Sequence, residues 1–131
     1  MKLRSTFALV LIAASISAVP VFAAKPAAAA EKAGPAGSVT GEVIDSACYI
    51  KGGSKGEGHI KCAQSCADAG IPLAILEDGT NKVVWVASKE DMATPNDKLK
   101  PYAGKKVTVK GTWAERGGAK LLVVDSVTAA K

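Results

Sequence analysis

Three cysteines and a single histidine are the side chains of this sequence best suited to hold a metal. All four fall within 19 residues: Cys48, His59, Cys62 and Cys66. Three thiolates and one imidazole make a Cys3His set, which suits tetrahedral Zn2+. Soft sulfur donors suit Cu(I) equally. The spacing C-x10-H-x2-C-x3-C matches none of the familiar zinc-finger patterns, so it marks a donor cluster without naming the ion. With all four donors bound the site would be closed and structural; with one lost it would be open to transfer or catalysis. Asp45 and Glu57 lie near enough in sequence to accept the second ring N–H of His59 as outer partners. Tyr49 adjoins Cys48 and is expected to cover the cluster.

The same residues admit other chemistry. Three cysteines cannot all pair within one chain. A bond from Cys48 to Cys62 or Cys66 would pin the intervening segment, contribute about 2–4 kcal/mol and leave one thiol spare. A Cys62–Cys66 bond along a regular helix is less suitable, because the Cβ vectors do not face each other. A redox role has weaker support: the spacing is Cys-x3-Cys rather than Cys-x2-Cys, and the haem-attachment run C-x-x-C-H is absent. A hydrolase needs a nucleophile–base pair and an oxyanion hole, and only Cys62 with His59 approaches that. The residues thus favour binding over catalysis.

The totals bound the setting. The 131 residues carry a net charge of +5 and suffice for one domain. Lys2 and Arg4 precede an apolar run from Phe7 to Val19, and Val21 and Ala23 supply the small residues of a cleavage site. This is the pattern of a secretory signal peptide over residues 1–23, with an apolar run too short for a retained span of about 20 residues. Its removal takes two cations and no acids, so +5 becomes +3. The expected location is the periplasm or the exterior, with no membrane attachment after cleavage. Residues 24–38, rich in Ala, Pro and Gly, read as a flexible tether. The folded domain is expected over 39–131.

Within that domain, Val39 to Ile44 reads as a strand that ends at a turn-prone Asp45-Ser46. Four glycines (Gly52, Gly53, Gly56, Gly58) then mark a surface loop; it lacks the Gly-Lys-Ser/Thr ending of a phosphate loop. His59 to Ala69 reads as a helix that stops at Gly70. At 100° per residue it places His59, Cys62 and Cys66 on one face. Pro72–Leu76 and Lys82–Ala87 read as a hairpin, and Ser88 as the cap of a short helix interrupted by Pro95 and Pro101. Leu99 and Tyr102 are the expected core contacts of that segment. A strand after Gly104, a turn over Glu115 to Ala119 and a strand from Leu121 to Val127 complete the chain.

Five strands with a helical segment between the third and fourth is the order of an OB-fold, a small Greek-key barrel. The run Gly41-Glu42-Val43-Ile44-Asp45-Ser46-Ala47-Cys48, then His59, Cys62 and Cys66, then Asp78-Gly79, resembles small exported bacterial OB-fold-like proteins with a D-S-x-C … H-x-x-C-x-x-x-C cluster. The closing half, L-K-P-Y-A-G-K-K-V-T-V-K-G-T-W to L-L-V-V-D-S-V, is similar to theirs as well. The resemblance covers most of residues 39–128. It implies a mainly β, five-stranded OB-like barrel, with the Cys/His helix inserted between strands 1 and 2, and it marks the cluster as the site.

An oligonucleotide surface would need aromatic platforms and a basic groove. Tyr49, Trp85, Tyr102 and Trp113 are expected in core or covering positions, which excludes nucleic acid as a partner. The expectation is therefore an exported protein holding one zinc or copper ion on Cys48, His59, Cys62 and Cys66, in metal handling or sensing. The alternative is a disulfide-stapled, non-enzymatic module that binds another periplasmic protein.

Overall fold

The computed structural model describes residues 34–131. The expected signal peptide and most of the expected tether lie outside the described residues. Five strands form a mixed sheet: β1 (Ala36–Asp45), β2 (Leu73–Glu77), β3 (Val83–Ala87), β4 (Lys106–Arg116) and β5 (Ala119–Ala129). The hydrogen-bonded order β1-β2-β3-β5-β4 returns to β1, so the sheet closes on itself. All pairings are antiparallel except β3 with β5, which is parallel. The connection from β3 to β5 runs through the helical segment and β4. Among the described residues, no helix is long and apolar enough to cross a membrane.

The alternation of the strands fills the interior. Val39 and Val43 from β1, Ile75 from β2, Val107 and Val109 from β4, and Leu122 and Val124 from β5 are all buried in one cluster. A short helix, α3 (Asn96–Leu99), continues as a 3-10 turn over Lys100–Tyr102. It adds Leu99, fully buried, and Tyr102, packed against the same cluster, as expected from the sequence. A second, smaller apolar patch joins Ile44, Ala74 and Leu76, with Tyr49 and Val83 laid against it.

Several boundaries differ from the sequence reading, and the expected turn over Glu115 to Ala119 shrinks to Gly117-Gly118, since Glu115 and Arg116 pair with Lys120 and Ala119. The first strand begins at Ala36 rather than Val39, because Ala36, Gly37 and Ser38 pair with Thr112, Gly111 and Lys110 of β4. Ser88 caps no helix: its hydroxyl bonds Glu90 Oε2 at 2.6 Å and accepts from the Glu90 amide at 3.3 Å, forming a local turn. The helix starts only at Asn96, after Pro95. Asp45-Ser46 is not a turn into a loop but the start of a helix, α1 (Ser46–Gly52).

Candidate metal centre

The donors are delivered by the segment between β1 and β2, which comprises α1, a 3-10 turn over Glu57–His59, and α2 (Ile60–Asp68). Asp45 is the last residue of β1 and the N-cap of α1. Its Oδ1 accepts from the amides of Ala47 at 2.9 Å and Cys48 at 3.2 Å, satisfying orphan donors of the first turn. This cap is why the chain turns into a helix where strand would otherwise continue, and it aims Cys48 back over Asp45. Ser46, also buried, ties the same corner to the start of β2 through Oγ to the Pro72 carbonyl at 2.7 Å.

Cys62 and Cys66 ride on α2, four residues apart and so on one face, as expected. His59 is not in that helix; it ends the preceding 3-10 turn and occupies the N-cap position of α2. The other end of α2 is fixed by Gly70, at φ +87°. Its amide bonds Ala67 O at 3.1 Å, and the Ile71 amide bonds Cys66 O at 2.9 Å, the paired bonds of a Schellman motif.

Asn96 is a positioning residue that the sequence reading passed over. It is buried, its Oδ1 accepts from the Leu73 amide at 3.0 Å, and its Nδ2 donates to Ala67 O at 3.2 Å and Ile71 O at 2.9 Å. One side chain thus holds the end of α2 and the start of β2 against α3. The signal available in sequence was an Asn just after Pro95, which reads only as a turn residue.

Gly104, at φ +69°, fixes the other side of the segment. A Cβ there would stand 2.7 Å from both Gly56 O and Ile60 Cγ1. Gly56 is also held by Glu42, whose carboxylate accepts its amide. We expect Gly104→Ala to cost about 1–3 kcal/mol through a strained backbone and a forced shift of the 56–60 segment. Urea unfolding would measure it, and a loss below about 0.5 kcal/mol would contradict the packing described.

Together these anchors bring the donors into contact. The Sγ atoms of Cys48, Cys62 and Cys66 all lie within 4.8 Å of one another. Donor atoms of Asp45, Cys48 and His59 do so as well. Cys48 belongs to both groups. Tetrahedral zinc with Zn–S bonds of about 2.3 Å would set the sulfurs about 3.8 Å apart, so only a small contraction separates the thiols from ligand spacing. The four sequence-predicted donors are therefore in one neighbourhood, but His59 joins it on the Asp45 side. Glu57 is exposed and falls in neither group. Tyr49 packs on the patch of Ile44, Ala74 and Leu76.

The electrostatics follow from Asp45, which has no exposed surface. Burial pushes its carboxyl pKa up, but the thiols of Cys66 and Cys48 and the amides of Cys48 and Ala47 act together to hold it below the usual carboxylate value. The charged carboxylate keeps the proton on its neighbours. Cys66 is pushed up to about 12, chiefly by its contact with Asp45, then by burial and by the Asp45 charge. Cys48 is raised for the same leading reason. Thiols held protonated are poor nucleophiles, so Cys48 and Cys66 are ill-suited to covalent attack in the metal-free protein.

These shifts carry a stability prediction for the metal-free protein. A thiol whose folded pKa exceeds its unfolded value stabilises the fold below the unfolded value, and that stabilisation disappears as pH rises through the folded one. We expect the melting temperature of the metal-free chain to fall progressively from about pH 8.5 upward, and Asp45→Asn to flatten that decline. Equal alkaline slopes for the two proteins would contradict the assignment.

Two atoms at the centre stand out: Asp45 Oδ2 and His59 Nε2 are buried without a hydrogen-bond partner. Buried polar atoms in native folds nearly always have one, so both are consistent with a group that completes them. Three thiols, a carboxylate oxygen and an imidazole nitrogen fit a transition metal by donor chemistry. No protein-family model, curated protein or solved structure matches this chain.

Proposed function

We propose that this chain is an exported metal-binding protein that holds one soft or borderline transition ion, zinc or copper, between β1 and β2 of an OB-like barrel. The observation that carries the reading is the convergence of three Sγ atoms within 4.8 Å, beside buried and unpartnered Asp45 Oδ2 and His59 Nε2. Cys48, Cys62 and Cys66 supply three thiolates. The fourth donor comes from the Asp45 and His59 side, with His59 the one expected from the sequence. Because each bound thiolate must first lose its proton, binding releases protons and strengthens as pH rises. The exposure of Cys62 against the partial burial of Cys48 and Cys66 suits a site that exchanges its ion with a partner, as metal handling requires.

The same proximity supports a second reading. Oxidation would join two of the three thiols in an oxidising compartment, stapling the segment and leaving one thiol. Elemental analysis and thiol titration of the full chain, isolated anaerobically after export, separate the two. We expect about one zinc or copper per chain and thiols that react only after chelation. One free thiol with no metal would sink the metal reading in favour of the staple.

A further inference from the structure

We infer that Asp45, rather than His59, is the fourth ligand, and that its carboxylate makes the centre selective for a divalent ion such as zinc over copper(I). The inference rests on the metal reading above and concerns which donor closes the site.

Position favours Asp45. Its carboxylate is fully buried at the end of a strand that pairs with both β2 and β4, so its backbone is fixed. Its two oxygens have separate roles. Oδ1 is taken by the Ala47 and Cys48 amides, which orients the carboxylate, and Oδ2 has no N–H or O–H donor. The ion pairs of the described residues, Lys89–Asp125, Lys100–Asp68 and Lys106–Asp78, all leave it out. A buried carboxylate oxygen with no cation and only weak thiol donors beside it is costly, and an ion at the thiol cluster would satisfy it. Asp45 lies beside the thiols of Cys48 and Cys66, one from each of the two helices that carry the sulfurs. His59 ends the 3-10 turn and shares its close group with Asp45 and Cys48. There its ring N–H can donate to the bound carboxylate, the outer role that metal-site partners commonly play. The roles of Asp45 and His59 are thereby exchanged relative to the sequence expectation.

Charge and donor type then give selectivity. Three thiolates and a carboxylate are all anionic, and excess buried charge is penalised. A divalent ion leaves less of it uncompensated than a monovalent one. Copper(I) gains nothing from a hard oxygen donor and is content with sulfur alone, whereas zinc accepts carboxylate oxygen at about 2.0–2.2 Å.

The test uses the full chain loaded with zinc, and separately with copper(I), under anaerobic conditions. Zinc-edge X-ray absorption of the wild type should give three sulfurs and one oxygen, without the outer-shell scattering of a coordinated imidazole. Competition titrations should show Asp45→Asn losing zinc affinity by about 100-fold or more while keeping most of its copper(I) affinity. His59→Ala should lose no more than about 10–100-fold for zinc, the range for an outer partner. Asn retains a capping oxygen, and the metal-free melting curve of the variant near neutral pH checks that the fold survives. Imidazole scattering in the wild type, or unchanged zinc affinity in Asp45→Asn, would overturn the assignment of Asp45 while leaving a metal site in place. Failure of both ions to bind at one per chain would overturn the metal reading itself.

Discussion

Cys48→Ser is expected to cost this protein at least about 100-fold in zinc affinity, beyond the 10–100-fold typical of losing an outer partner. Cys48 is the one residue common to both donor groups, so its loss removes a sulfur from the thiol triad and breaks the link to Asp45 and His59. The substitution is small and the side chain is only partly buried, so the metal-free fold should survive. Thermal melts of metal-free wild type and variant should agree within a few degrees, while a competition titration against a chromophoric chelator separates them. Cys62→Ser, at the exposed edge, should cost less. Equal losses at the two positions would show that Cys48 has no central place.

The largest effect on stability is expected at Asn96. Asn96→Ala removes three hydrogen bonds at once and leaves the Leu73 amide and the Ala67 and Ile71 carbonyls without their partner. Each buried group left unsatisfied costs about 1–3 kcal/mol. Water reaching Ile71, which is half-buried, moderates the sum, so a total of about 3 kcal/mol is expected. For a domain of this size that lowers the melting temperature by about 12–24 °C. Asn96→Asp should be comparably harmful, since it keeps the acceptor for Leu73 but turns a second oxygen toward two carbonyls. A loss below about 1 kcal/mol in urea unfolding would mean that Asn96 does not hold the end of α2.

The strands were legible in the sequence because their alternation is strong: Val107 and Val109, or Leu122 and Val124, must share a face once the chain is extended. The stop of α2 was legible for a similar reason, since Gly70 followed by Pro72 leaves few other conformations. The first helix was not. In Asp45-Ser46-Ala47-Cys48 the acid reads equally as a turn residue and as an N-cap, and the glycines beyond Lys51 suggested a loop from the start. Only the bonds from Oδ1 to two amides decide it. Trp85 was expected inside, but it lies on the outward face of β3 and is 42% exposed; β3 is short, and Val84 and Val86 already occupy its inner face. The candidate site was legible as a set of residue types. Its geometry was not, because the approach of Asp45 to Cys66 spans 21 residues of sequence and depends on Asn96 and Gly104, which carry no donor chemistry.

The docking of α2 has a further consequence. The helix buries only two alanines, Ala63 and Ala67, while the strands bury branched side chains. It is held to the rest mainly by polar bonds at its ends and by Gln64 to Lys100 O at 3.4 Å. Segments with so little apolar burial open separately from the core around them. In the metal-free protein, amide hydrogens of residues 60–68 should exchange with solvent well before those of β1, β4 and β5. An ion bridging Cys48 to Cys62 and Cys66 would tie this segment to the β1 corner and slow that exchange toward the rate of the barrel. The weak seat of α2 would thus let occupancy of the centre be read from outside, as the difference between a breathing helix and a quiet one.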